Sequence, residues 1–196
     1  MIKRKIKQDI IKKFKKNQIL FFDMDGTLVD TNLANFLSYK KAIISLPRLT
    51  HSLENYSGER FDRKKLKSAV PDLNKNEYER IIQKKEEFYK DFLSETKLNK
   101  PVVDILLKYS NINKTVLVTN CRKDRALETL NYHGLIDKFS KLFFREFHLG
   151  NKFFNKFENA ILKLNIPPEL VIAFDNEEKE IVKALQAGIQ IINPGV

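Results

Sequence analysis

Ile19-Leu20-Phe21-Phe22 is a charge-free apolar run that leads straight into Asp23-Met24-Asp25-Gly26-Thr27. A run this short, bounded by a Gly-Thr turn, reads as a buried strand. Such a strand cannot end by driving two unpaired acids into a core, because a buried uncompensated charge is very costly. An open α/β sheet removes the conflict, since its strands end at a crevice where ligands bind. The feature therefore implies a parallel sheet with acids along its carboxyl edge. It also implies chemistry on an anionic group, with a cation to hold that group.

The rest of the chain supplies such a sheet. Thr115–Val118, Lys141–Phe144, Val171–Phe174 and Ile189–Ile192 are further short runs rich in β-branched or aromatic residues. Helical patterns over Lys123–Tyr132, Phe153–Leu164 and Glu178–Ala187 separate them. Strands alternating with helices give parallel βαβ units. Gly134 and Gly188 stand where helix C-caps are expected, and Pro167-Pro168 stops the helix before the fourth strand. Thr31 to Asn99 reads as helical throughout, with apolar faces at Leu33, Phe36, Leu37, Ile43 and Ile44 and at Tyr78, Ile81, Ile82, Phe88, Tyr89, Phe92 and Leu93. Further helices are expected near Phe61–Val70 and Val102–Tyr109. A crossover helix needs only about a dozen residues, so the stretch is an inserted helical subdomain. The expected fold class is α/β, a Rossmann-like parallel sheet sandwiched by helices with an all-helical insertion. The expected division is a basic N-terminal helix over 1–17, a core over 18–30 and 100–196, and the insertion over 31–99.

Charge is spread unevenly. The net charge is +11, and residues 1–17 hold eight lysines and arginines against Asp9 alone. Ile2, Ile6, Ile10 and Phe14 recur every four residues, so this segment is an amphipathic helix candidate. It is either a surface for nucleic acid or anionic lipid, or a solvated helix whose apolar stripe docks on the domain; the second is preferred. Hydrophobic residues make up 42% of the chain, enough for a real core. No apolar run approaches the ~20 residues of a membrane span. The basic start lacks the apolar stretch of a secretory signal. The single cysteine, Cys121, excludes an internal disulfide and fits a cytoplasmic protein.

Four groups fall at strand carboxyl ends: Asp23 with Asp25, Thr119-Asn120, Lys152 in the loop Gly150-Asn151-Lys152, and Asp175-Asn176-Glu177-Glu178. Acids, a hydroxyl donor and a cation around one crevice suit phosphoryl transfer with a hard divalent ion. Lys156 competes with Lys152 for the cationic role. Lys152 is preferred because it precedes the expected helix. His51, His133 and His148 lack ligand-like spacing, which argues against zinc.

These motifs in this order resemble the haloacid dehalogenase superfamily, in the branch of phosphoglycolate-phosphatase-like and β-phosphoglucomutase-like enzymes. Asp23-Met24-Asp25-Gly26-Thr27-Leu28-Val29-Asp30 matches its first motif, Thr119-Asn120 its second and Lys152 its third. Asp175 through Ala187-Gly188-Ile189 resembles its fourth. The resemblance implies a Mg²⁺-dependent phosphatase acting on a small phosphorylated metabolite. Asp23 would be the nucleophile and Asp25 the acid/base, with Thr119, Asn120 and Lys152 on the phosphate. The metal would take Asp23, Asp25 through its backbone carbonyl, and an acid of the fourth motif. The helical insertion would be the branch's cap, with Arg60 of Tyr56-Ser57-Gly58-Glu59-Arg60 as specificity group; Arg48, Arg63 and Lys64 compete with it. Caps of this type often serve monomers.

The fourth motif departs from the usual acidic pair. Asp175 takes the first acidic position and Asn176 the second. The Asn176 oxygen would then ligate the metal without charge, or Glu177, Glu178 or Glu180 would complete the site through water. The alternatives to a phosphatase are a phosphomutase of the same superfamily, or a phosphate-binding or nucleic-acid-associated protein with impaired turnover.

Overall fold

A computed structural model describes residues 14–46, 53, 58–145 and 155–194. They form two compact units. One contains residues 14–28, 99–121, 135–145 and 155–194; the other contains 29–46, 53, 58–98 and 122–134.

The first unit is built on a five-stranded sheet, β1 (Ile19–Phe22), β4 (Lys114–Val118), β5 (Lys141–Phe143), β6 (Val171–Phe174) and β7 (Gln190–Ile192). The order is β5-β4-β1-β6-β7, and every pairing is parallel. The expected α/β architecture is thus the one observed, with strand limits shifted by a residue at most. β1 lies in the middle, between β4 and β6. Both its faces are covered, which explains why the run carries no polar residue. Alternation sends Phe21 to one face and Leu20 and Phe22 to the other.

On the Phe21 face, Val116, Val118, Val171 and Ala173 meet Phe157 and Ala160 of the helix Lys156–Leu164 and Ala184 of the helix Glu178–Gln186. Among the opposite residues, the rings of Phe22 and Phe174 stack with centroids 4.8 Å apart. Phe14 sets its ring edge-on to Tyr109 at 4.8 Å and to Phe174 at 6.1 Å. Phe14 thus ends the N-terminal apolar stripe against this unit's core. Residues 1–13, with the rest of the stripe, lie outside the described residues. The Asn113 amide donates to the carbonyls of Lys15 and Gln18 and fixes the entry to β1.

The second unit is helical apart from one short antiparallel pair. Its elements are α1 (Asn32–Ile44), α2 (Arg63–Ala69), α3 (Lys75–Phe88), 3-10 turns over Tyr89–Glu95, and α5 (Lys123–Tyr132). In chain order α4 (Lys100–Tyr109) precedes α5, while α6 (Lys156–Leu164) and α7 (Glu178–Gln186) follow it. Phe36, Tyr39, Ile43, Phe61, Leu66 and Ile81 form its core. Asn35 donates its amide to the Phe61 carbonyl at 2.5 Å. Asp62 caps α2, and Asn74 with Glu77 closes a capping box on α3. The pair β2 (Val29–Asp30) and β3 (Lys97–Leu98) joins the two ends of the inserted stretch. Two-residue strands carry too little pattern to be read from sequence. α5 groups with this unit: Thr129 bonds the Tyr89 hydroxyl at 3.3 Å, and Arg125 Nη1 donates to Asn35 Oδ1 at 3.4 Å. No helix among the described residues is long and apolar enough to cross a membrane.

The position of β1 predicts the consequence of truncating it. Phe21→Ala is expected to cost about 3–5 kcal/mol of unfolding free energy in urea titration, the range for a fully buried Phe. A loss under about 1 kcal/mol would contradict the central packing given to this strand.

Candidate active site

The carboxyl ends of β1, β4 and β6 are adjacent because the strands pair in register, with Phe22 opposite Leu117 on one side and Phe174 on the other. The next residues are Asp23, then Val118-Thr119, and Asp175. The Asp23 amide still donates to the Phe174 carbonyl at 3.0 Å, and the Thr119 amide to the Phe143 carbonyl at 3.0 Å. Strand order reverses about β1, the position where ligands bind in such sheets.

Asp23 and Asp175 are both buried, and one ammonium serves both. Lys156 Nζ donates to Asp23 Oδ1 at 2.7 Å and stands 2.6 Å from Asp175 Oδ2. Asp175 Oδ1 accepts the Glu177 backbone N–H at 2.9 Å. Its Oδ2 is fully buried and faces the Lys156 ammonium. Burial pushes the Asp23 carboxyl up to about 7; Lys156 opposes the shift, while Asp175 and Asp25 add to it. Burial by itself would lower the Lys156 pKa, but the charges of Asp23 and Asp175 outweigh it and hold the ammonium protonated. Asp25, half-buried, follows fully buried Met24. The Thr27 and Leu28 amides both donate to the Met24 carbonyl, at 3.2 and 3.0 Å, so Asp25 rides on a closed turn.

Lys156 owes its place to a capping box. Asn155 accepts from the Phe157 and Glu158 amides, and the Glu158 side chain takes the Asn155 N–H. The helix therefore starts at Lys156, not at Phe153 as the sequence pattern predicts. Asn155-x-x-Glu158 was the signal in the sequence for this start. A lysine at the first helical position opposes the helix dipole. It is stable here because two carboxylates face it. Lys152 lies outside the described residues.

Thr119 is buried, and its hydroxyl oxygen accepts the Cys121 N–H at 3.2 Å. That bond uses an oxygen lone pair and leaves the hydroxyl proton to be donated. Asn120 is exposed beside it. Cys121 is buried and unbridged. Asn176 has its oxygen on the Thr27 hydroxyl at 3.1 Å. Gly26 and Thr27, which the sequence reading treated as part of the motif without a role of their own, thus contact the fourth motif. Arg60 is an exposed residue of the helical unit, next to the Glu59–Lys65 ion pair. Arg48, Tyr56 and Ser57 lie outside the described residues.

The chain was compared with known proteins. The haloacid dehalogenase-like hydrolase family model matches residues 20–193. No curated protein sequence matches the chain. Among solved structures, a predicted phosphoglycolate phosphatase from Haemophilus somnus 129pt superposes with a TM-score of 0.73 at 18% identity, over 91% of this chain and 85% of that one. CbbY from Rhodobacter sphaeroides, in complex with phosphate, gives 0.69 at 16% identity, over 91% and 87%. A HAD-superfamily hydrolase of subfamily IA, variant 1, from Geobacter sulfurreducens PCA gives 0.67 at 15% identity, over 92% and 88%.

Two predictions follow from the shared ammonium. Lys156→Met leaves two buried carboxylates without a counter-charge and is expected to cost about 3–5 kcal/mol by urea unfolding. A change within about 1 kcal/mol would mean that water, not Lys156, solvates the acids. The second concerns pH. The folded-state pKa of Asp23 lies above its unfolded value of 3.8. Its stabilising contribution is therefore full below that value and is lost as pH rises through about 7. In EDTA, Asp23→Asn is expected to melt higher than the parent at pH 7 and to flatten the fall in melting temperature across this window. An unchanged slope would remove Asp23 as its source.

Proposed function

Because the chain belongs to the haloacid dehalogenase-like hydrolase family, we propose that it is a Mg²⁺-dependent phosphatase of small phosphomonoesters, working through an aspartyl-phosphate on Asp23. The observation that carries this reading is the buried Asp23 carboxylate, held by Lys156 at the carboxyl end of the central strand. A nucleophile must be oriented and at least partly ionised. Lys156 does both, by fixing Oδ1 and opposing the upward pull of burial.

In the first half-reaction an Asp23 oxygen attacks phosphorus as the ester oxygen leaves. Asp25 protonates that oxygen, then takes a proton from the water that attacks the aspartyl-phosphate. The two carboxylates are suited to separate roles because their surroundings differ. Asp23 is desolvated and paired, whereas Asp25 is half-buried on a turn. The Thr119 hydroxyl and the Asn120 amide would donate to phosphoryl oxygens. Lys156 would compensate their charge, the role that the sequence reading gave to Lys152.

The site suits a hard divalent cation. Two buried carboxylates, Asp23 and Asp175, share the Lys156 ammonium, and Asp25 adds negative charge beside Asp23. Among the described residues no three His, Cys, Asp or Glu side chains group as a metal-ligand set. Mg²⁺ does not need one, since it commonly takes one or two carboxylates with waters and phosphate oxygens. Asp23, Asp175 and the backbone carbonyl of Asp25 would hold it. When bound, it would neutralise charge on the phosphoryl group. The helical unit would act as the cap, with Arg60 as its specificity group.

The test is phosphate release from an aryl phosphate. Asp23→Asn and EDTA are each expected to abolish it, and Asp25→Asn to slow it by about 10²–10⁴-fold. Intact mass of the trapped parent should show one added phosphoryl group, absent from Asp23→Asn. Parental turnover by Asp23→Asn would overturn the mechanism. Conversion of a sugar phosphate to its isomer without phosphate release would move the assignment to a mutase.

A further inference from the structure

The loop after β6 and the turn after β1 are joined by a side-chain bond between residues 149 positions apart. Thr27 is fully buried, and its hydroxyl donates to Asn176 Oδ1 at 3.1 Å. On the other side of the amide, Nδ2 lies directly over Gly26: a Cβ there would fall 2.5 Å from it. Gly26 has φ +79°, so the turn needs glycine for its backbone as well as for this approach. The Asn176 amide is therefore seated on the turn that carries Asp25, with its oxygen engaged by a buried donor that needs an acceptor.

The neutrality of this side chain has a consequence. Asp23 and Asp175 already share the Lys156 ammonium, and Asp25 adds like charge beside Asp23. A carboxylate at position 176 would accept the same bond but add like charge beside them. The amide makes the tie without that repulsion.

We propose that Asn176 is a positioning residue, a strut that locks the Gly26-Thr27 turn to the loop carrying Asp175 rather than a ligand of the metal. The strut holds Asp25 at a fixed place relative to Asp23 and Asp175. Only its kinetic consequence rests on the phosphatase reading; the bond and its stability do not.

The experiment is a double-mutant cycle with Thr27→Val, Asn176→Ala and the pair, read three ways on the full chain. The urea midpoint should fall in each single variant, and the double variant should fall no further than the worse single. With an aryl phosphate, each single variant should lose about 10–100-fold in kcat with KM little changed, again without additivity. Calorimetric titration with Mg²⁺ should show both single variants altered to the same degree. Thr27→Ser, which keeps the hydroxyl, should restore parental values in all three. Additive losses in the midpoint would overturn the strut. So would Mg²⁺ binding weakened by Asn176→Ala but left at the parental value by Thr27→Val, the mark of a lost ligand and not of a lost support. A parent without phosphatase activity would sink the phosphatase reading alone, because the urea cycle still decides the strut.

Discussion

One ammonium group makes the carboxyl edge of this sheet possible. Asp23 and Asp175 follow the two strands that are buried along their whole length, so neither acid has bulk water to solvate it. Without compensation each would have to take up a proton or force the strands apart. Lys156 reaches both, from a helix 133 residues further along the chain than Asp23. The wholly apolar β1 and the acids at its end are therefore a single arrangement, and α6 is part of it. Asn155 and Glu158 fix the first turn of that helix and so fix the ammonium. The capping box at the start of α6 thus places the counter-charge of the buried centre.

The compensation is incomplete. Burial still carries the Asp23 carboxyl to about 7 in spite of the ammonium beside it. A purely structural ion pair would gain from being fully satisfied, since a half-satisfied buried polar group is destabilising. The residual negative charge is of the sign that a divalent cation relieves. Stability is given up at the place where chemistry is proposed, as expected of functional sites.

The sequence revealed the parts of the fold that depend on one-dimensional pattern. Central strands buried on both faces read as continuous apolar runs, so β1, β4 and β6 were legible almost to the residue. The acids at their ends followed from the cost of burying charge. What depended on a distant partner was not legible. β2 and β3 exist only through their pairing, and α5 follows a core strand but packs with helices far away in sequence. The choice between Lys152 and Lys156 rested on where the helix begins. Apolar periodicity put that at Phe153, whereas the capping box puts it at Lys156. The hydroxyl-to-amide tie between Thr27 and Asn176 left no trace in spacing.

The helical unit buries a cation as well. Lys85 is buried, with its ammonium 5.4 and 5.5 Å from the ring centres of Tyr39 and Tyr89. Arg125 covers the Tyr89 ring at 5.3 Å. Burial pushes the Tyr39 hydroxyl up to about 12, which keeps it neutral and its ring a good cation partner. Arg125 belongs to α5, which begins two residues after Cys121, where the Thr119-Asn120-Cys121 loop ends. The covalent path from the proposed phosphate loop therefore runs straight into an element anchored among the helices. Thr119 is held at its other end by its amide bond to the Phe143 carbonyl. That bond and the Cys121 N–H on the Thr119 oxygen restrain the loop within its own unit, which is the condition for donors to be aligned before the phosphate arrives.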